Sequence, residues 1–269
     1  MTTSHTLDVP GARLYYEVRG SGPVLVAMGS PMNAAAFAPL ADALAADHTV
    51  VTLDPRGISG SRLEDPGQES TPDLRADDVT AILDAIGAAD ADVFGSSGGA
   101  VTGLALVTRH PDRVRTLVAH EPPLLELLPD AAERHAATEA NIEVFHRDGP
   151  GAAWATFMVN AGFDLSGEDG GGPVAPDYEP SEEDLANTAR FFAHELRGTT
   201  RYVPDLAALR AARVVVGVGA ASGGLLTVRT SVALAELLGS DPVEFPGDHG
   251  GFTDVPVEFA ERLRKVLAG

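Results

Sequence analysis

The segment Gly95-Ser96-Ser97-Gly98-Gly99 has the residue types and spacing that most directly suggest chemistry. It fits the pattern G-x-S-x-G, follows an apolar run ending at Phe94, and opens a stretch of helical period, Ala100–Arg109. A serine on a sharp strand-to-helix bend is held in a strained backbone with its hydroxyl lifted clear, and bulk two residues to either side would collide. Gly95 and Gly99 meet that requirement. The new helix aims its first amides at the same place, so the Gly98 N–H is an expected donor to an oxyanion. A glycine-rich turn with incidental serines is the bland alternative, and the position after the third run of an alternating series weighs against it.

A serine nucleophile needs a base, and eight histidines compete. His5 and His48 lie near the amino ends of strands, His110 ends the helix after the serine, His120 precedes Glu121-Pro122-Pro123, and His135, His146 and His194 fall in a later helical region. His249 differs. It lies in Pro246-Gly247-Asp248-His249-Gly250-Gly251-Phe252, beyond the last apolar run and before the final helix, where small neighbours let an imidazole reach over a sheet edge.

These residues need a scaffold. Thr6–Val9 and Arg13–Val18 alternate around Pro10-Gly11 and predict an antiparallel hairpin. Short valine-rich runs follow at Val24–Met28, Val50–Leu53, Asp92–Phe94, Thr116–Ala119, Val214–Val218 and Val243–Phe245, as expected of strands buried on both faces. Helical period lies between them: Phe37, Leu40, Ala41 and Leu44 share a face, as do Val79, Ile82, Leu83 and Ile86, and Val257–Leu267 closes the chain. The alternation predicts an α/β fold with a mostly parallel central sheet, whose ligands bind beyond the carboxyl ends of the strands. The rhythm breaks between Leu124 and Arg210. Helical stretches at Ala131–Phe145, Ala152–Val159 and Glu182–Leu196, the last opened by a capping box at Ser181, predict an inserted helical cap over 124–210 on a core of 1–123 and 211–269. Gly167–Gly172 and the prolines up to Pro180 predict a flexible loop. The eight acidic residues from Asp164 to Asp184 lack calcium-loop spacing, so a solvated loop is expected there.

Composition narrows the function. The 269 residues are 44% hydrophobic and 22% charged, with a formal charge of −20 from 39 acidic against 19 basic side chains. That excess repels phosphate backbones and argues against a nucleic-acid partner. Lys265 is the lone lysine, which disfavours a lysine-dependent phosphate loop or Schiff base, and without cysteine there is no thiolate nucleophile or thiolate metal site. Nothing approaches eighteen uninterrupted apolar residues and no basic-then-apolar leader opens the chain, so the expectation is a soluble, cytoplasmic protein with no membrane partner.

Along essentially its whole length the chain resembles the α/β-hydrolase superfamily. The markers are the serine elbow at Ser97, the late His249, and Asp54-Pro55-Arg56-Gly57-Ile58-Ser59-Gly60-Ser61, which looks like the family's D-x-R-G-x-G-x-S turn with Ser59 in place of the usual glycine. Met28-Gly29-Ser30-Pro31 stands where many members carry His-Gly-x-Pro. The resemblance implies that the Ser30 N–H is the second oxyanion donor; Pro31 has no N–H to give. It also implies a cap after the sixth strand, matching the break at Leu124.

The family's usual acid position, after the penultimate strand, is empty here: Ala220-Ala221-Ser222-Gly223-Gly224 follows, and up to Ser240 the only acid is Glu236, inside a helix. Members resembling haloalkane dehalogenases carry the acid after the sixth strand instead. Glu121 holds that place, 121 − 97 = 24 residues beyond the serine, with Pro122-Pro123 to end the strand. Two readings of Glu121 stand open, the acid that orients His249 and a structural hydrogen bond at the cap hinge. Loss of such an acid costs on the order of 10⁴-fold in rate, so the choice matters.

The cap aromatics Phe145, Trp154, Phe157, Phe163, Phe191 and Phe192, with Met158, either pack the cap or line a pocket. Met32, Trp154, Phe157, Phe191 and His194 are the candidate substrate contacts, and Glu195 lies beside them. The expected activity is cofactor-free and metal-free hydrolysis of a carboxylic ester, lactone or thioester with an apolar portion, through an acyl-enzyme. A related haloperoxidase-like perhydrolysis is a further activity of such a site. The competing reading is a hydrolase fold serving as a cyclase, lyase or binding protein, prompted by the empty acid position. Epoxide hydrolases and dehalogenases of this family use aspartate where Ser97 stands. Nicotinamide binding at Gly217-Val218-Gly219 fails because the third glycine is missing and Asp241 precedes the next strand.

Overall fold

Nine strands form one sheet among the residues that the computed structural model describes, 2–163 and 180–269. They are β1 (Thr2–Val9), β2 (Ala12–Gly20), β3 (Val24–Met28), β4 (Thr49–Leu53), β5 (Arg62–Leu63), β6 (Ala91–Ser96), β7 (Val114–His120), β8 (Val214–Gly219) and β9 (Val243–Phe245). Their spatial order is β1-β2-β4-β3-β6-β7-β8-β9, with β5 against β2. The pairs β1/β2, β2/β4 and β2/β5 are antiparallel, and every pair from β4/β3 to β8/β9 is parallel. From β3 the chain passes first to β4 on one side and then to β6 on the other. The carboxyl ends of β3 and β6 therefore flank the crevice where such sheets bind ligands.

The helices are α1 (Ala38–Leu44), α2 (Pro72–Ala85), α3 (Gly98–Arg109), α4 (Ala131–Asp148), α5 (Pro150–Ala161), α6 (Glu182–His194), α7 (Leu196–Thr200), α8 (Leu206–Ala211), α9 (Leu226–Leu238), α10 (Gly251–Asp254) and α11 (Pro256–Ala268). Side-chain alternation along β3 splits the core in two: Val26 and Met28 join the cluster under α2 and α3, whereas Leu25 and Ala27 join Phe37, Phe94, Phe252 and Phe259 on the opposite face. A third cluster, Ile142, Ala153, Phe191, Phe192 and Leu196, holds together the helices between β7 and β8. No helix among the described residues is long and apolar enough to cross a membrane.

The hairpin is longer than its apolar alternation predicts. Pairing runs from Val9↔Ala12 out to Thr2↔Arg19, because ladder hydrogen bonds need only backbone once the turn at Gly11 sets the register. The predicted helix Glu182–Leu196 breaks at Glu195 (φ −125°), giving α6 and α7, where a side-chain contact with Ser30 overrides helical continuity. The capping box of Ser181 and Asp184 is present. The expected loop over 167–180 and the acidic stretch from Asp164 fall almost wholly outside the described residues.

Candidate active site

Ser97 stands between β6 and α3 at φ 54°, ψ −122°. Its N–H donates to the His120 carbonyl at 2.9 Å, and its own carbonyl accepts from Ala100 N at 3.0 Å, so the bend is tied to β7 and to the first helical turn. The glycines are sterically required: a Cβ on Gly95 would sit 2.5 Å from the Gly99 oxygen, and one on Gly99 2.3 Å from the Met28 oxygen. The loop after β3 lies equally close, since a Cβ on Gly98 would be 2.8 Å from the Ser30 oxygen. Among the described residues neither the Ser30 N–H nor the Gly98 N–H makes a hydrogen bond. Both are therefore free donors, at the positive end of α3.

His249 lies in the loop between β9 and α10, and its Nδ1 is 2.6 Å from Glu121 Oε2. With the proton on Nδ1, Nε2 is left as an acceptor. Glu121, the residue after β7, is fully buried at φ 50°. Ser59, Ser97 and Glu121 are the non-glycine residues with positive φ among those described, and such strain gathers at sites whose surroundings over-determine it. Gly219 N (2.9 Å) and the Ser222 hydroxyl donate to Glu121 Oε1, and Thr227 Oγ1 (2.7 Å) donates to Oε2. Burial alone would raise the Glu121 pKa, but the hydrogen bond and charge of His249, with smaller contributions from His120 and Ser222, hold it down to about 2. The loop after β8 thus has no acid of its own but supplies donors that fix an acid from β7. Gly219, Ser222 and Thr227 were not legible as site residues, because nothing in their local sequence points to a carboxylate ninety-eight or more residues away.

His120 is enclosed by Phe94, Phe245 and Phe259, with Nδ1 3.2 Å from Ser96 Oγ. Burial drives its pKa down to about 4 against the opposing charge of Glu121, so the ring is neutral at pH 7.

Ser97 and His249 stand on the wall of one cavity of about 640 Å³, shared with Ser30, Gly98, Met32, Trp154, Phe157 and Phe191. Phe163 also lines it, with its ring edge-on to His249 at 6.2 Å. His194 does not line it: the His194 carbonyl accepts from Ser70 N at 3.0 Å, which draws the end of α6 to that loop and sets its ring 3.1 Å from Glu69. Its neighbour Glu195 turns inward instead, onto Ser30 Oγ at 2.5 Å. Phe145 and Phe192 pack among the helices rather than on the cavity wall. Among the described residues no three His, Asp or Glu side chains are gathered as a metal ion would need.

The Asp54–Ser61 turn braces this floor. Asp54 accepts from Ala34 N (2.7 Å) and Gly60 N (2.8 Å), and Arg56 forms a two-pronged buried pair with Asp78. Ser59, at φ 47°, uses the hydroxyl that a glycine would lack: it accepts from Asn187 of α6 at 2.8 Å and from Asn33 at 3.1 Å.

Comparison with known proteins agrees with this architecture. A family model described as alpha/beta hydrolase fold matches residues 22–147. The uncharacterised hydrolase YraK of Bacillus subtilis is 35% identical over 270 residues, spanning 97% of this chain and 95% of its own. Among solved structures, a thermophilic esterase from Thermogutta terrifontis superimposes with a TM-score of 0.73 at 22% identity, covering 100% of this chain and 98% of its own. The enol-lactonase of Burkholderia xenovorans superimposes at 0.63 with 18% identity, covering 98% of this chain and 100% of its own. On the strand order, the bend at Ser97 and a full-length hydrolase relative, this chain belongs to the α/β-hydrolase superfamily and is a hydrolase of that type.

Proposed function

We propose that the chain is a serine hydrolase that cleaves a carboxylic ester, lactone or thioester through an acyl-enzyme. The observation that carries this reading is the 2.6 Å contact of His249 Nδ1 with buried, ionised Glu121, in a cavity whose wall also holds Ser97. Ser97 Oγ attacks the carbonyl carbon while His249 Nε2 takes its proton. Glu121 keeps the ring in the productive tautomer and stabilises its charged form. The free N–H groups of Ser30 and Gly98 receive the oxyanion. The imidazolium then protonates the departing alcohol or thiol, and water, deprotonated by the same ring, releases the acid. Such a site needs no cofactor.

In this reading residues 124–210 form a cap over a core of 1–123 and 211–269. Met32, Trp154, Phe157 and Phe191 face the substrate, which suits an apolar acyl or alcohol portion. The esterase and enol-lactonase among the structural neighbours belong to the same reaction class. The test is labelling with a fluorophosphonate and turnover of p-nitrophenyl esters and lactones of graded chain length. Wild type is expected to be labelled at Ser97, and Ser97→Ala to lose both labelling and turnover. A wild-type chain that neither labels nor turns over any of these compounds overturns the reading in favour of a binding role.

A further inference from the structure

Glu195 is 1% exposed and belongs to the junction of α6 and α7, yet its Oε2 receives the hydroxyl of Ser30, 165 residues earlier. As a device for stability alone it is poor. Its other oxygen, Oε1, has no hydrogen-bond partner, and the Arg75 guanidinium comes no closer than 3.8 Å, from Nη1 to Oε2. Arg75 spends its closer donors on neutral oxygens, at 2.6 Å from the Ser70 carbonyl and 2.9 Å from Thr102 and Thr199. A half-satisfied buried carboxyl calls for an explanation other than folding. Its position supplies one. Ser30 lies two residues past the end of β3, Pro31 after it has no N–H, and the Ser30 N–H points to no protein acceptor. Ser30 lies beyond the sheet ladder, and among the described residues the bond to Glu195 is the hydrogen bond its side chain makes.

We propose that Glu195 is a positioning residue for hydrolysis. By gripping Ser30 Oγ from the helical side, it aims the Ser30 N–H at the forming oxyanion, so that the hole is complete only when α6 and α7 are seated. This rests on the reading of Ser30 as an oxyanion donor. A small displacement of such a donor costs about 10- to 100-fold in rate, and the loss falls on the transition state rather than on substrate binding.

The experiment compares Glu195→Ala, Glu195→Gln, Ser30→Ala and the double alanine variant. It uses the p-nitrophenyl ester that wild type cleaves fastest and, as a mimic of the tetrahedral adduct, a trifluoromethyl ketone of matched chain length. Glu195→Ala is expected to lower kcat by about 10- to 100-fold with KM within about threefold, and to weaken the trifluoromethyl ketone by the same factor as kcat. Glu195→Gln, which keeps a hydrogen bond to Ser30 Oγ, stays within about threefold of wild type, and the double variant is no slower than the slower single one. Should Glu195→Ala fail to fold, Ser30→Ala decides, because it removes the same bond from the other side. Unchanged kcat in the alanine variants, multiplying losses in the double variant, or a glutamine variant as slow as the alanine overturns the proposal while leaving the hydrolase reading intact. A wild type inactive on every ester and unlabelled by fluorophosphonate overturns both.

Discussion

Glu121 has four polar partners on its two oxygens: Gly219, Ser222, Thr227 and His249. Burial opposes that charge, but the hydrogen bond and charge of His249, with smaller contributions from His120 and Ser222, outweigh it, so the carboxylate stays ionised at ordinary pH values. Glu121→Gln keeps the shape and removes the charge. It is expected to lower kcat/KM by about 10³- to 10⁴-fold, read from hydrolysis of the best p-nitrophenyl ester. In the sequence Glu121 admits two readings, acid and hinge residue, because which side chains meet a carboxylate is set by packing between distant segments. The same group has a stability signature. A carboxyl whose pKa falls from 4.5 to about 2 on folding contributes stability that is complete above about 4.5 and lost as pH falls towards 2. In Glu121→Gln, the slope of Tm against pH across that acid window becomes shallower.

The turn between β6 and α3 is the element on which the reading depends, and backbone contact fixes its composition. A methyl group on Gly99 meets the Met28 carbonyl at 2.3 Å, and neither atom belongs to a flexible side chain. Gly99→Ala is therefore expected to destabilise the fold by about 1–3 kcal/mol, seen as a lowered urea midpoint with unchanged m. The adjoining strand β7 ends on a buried neutral imidazole. Because folding lowers the His120 pKa from 6.5 to about 4, its contribution is fully present above about 6.5 and is lost as pH drops towards 4. His120→Asn removes that proton uptake. Whatever its effect at neutral pH, Tm against pH is expected to flatten between about 6.5 and 4, a window that lies mostly above that of Glu121.

Across the whole molecule, surface charge and the joint between sheet and helices set the balance. A formal charge of −20 means net self-repulsion that salt screens within a Debye length of about 10 Å at 0.1 M. Raising NaCl from about 0.02 to 0.5 M is expected to increase Tm by several degrees, since the acidic excess outweighs the exposed ion pairs that salt also weakens. The helices between β7 and β8 are joined to the core by directional contacts. Asn187 meets Ser59, Arg190 reaches the Pro66 and Gln68 carbonyls, Thr199 meets Arg75 and Glu195 meets Ser30. The cavity is thus bounded on one side by helices that polar bonds hold in register with the end of β3, the segment after β4 and the start of α2.

The alternation of strands and helices, the glycine-framed bend at Ser97, the histidine after the last strand and the helices between β7 and β8 are all legible in the sequence. Each of these is a local pattern: period two, period 3.6, or a backbone that admits no side chain. Packing between distant segments is what brings Glu121 rather than an acid after β8 to His249, sets Ser222 and Thr227 against Glu121, and turns Glu195 rather than His194 onto Ser30. Those outcomes depend on hydrogen bonds between residues roughly a hundred or more positions apart. No periodicity records such pairs, because the strand order that brings them together is a property of the packed sheet and not of any segment of it.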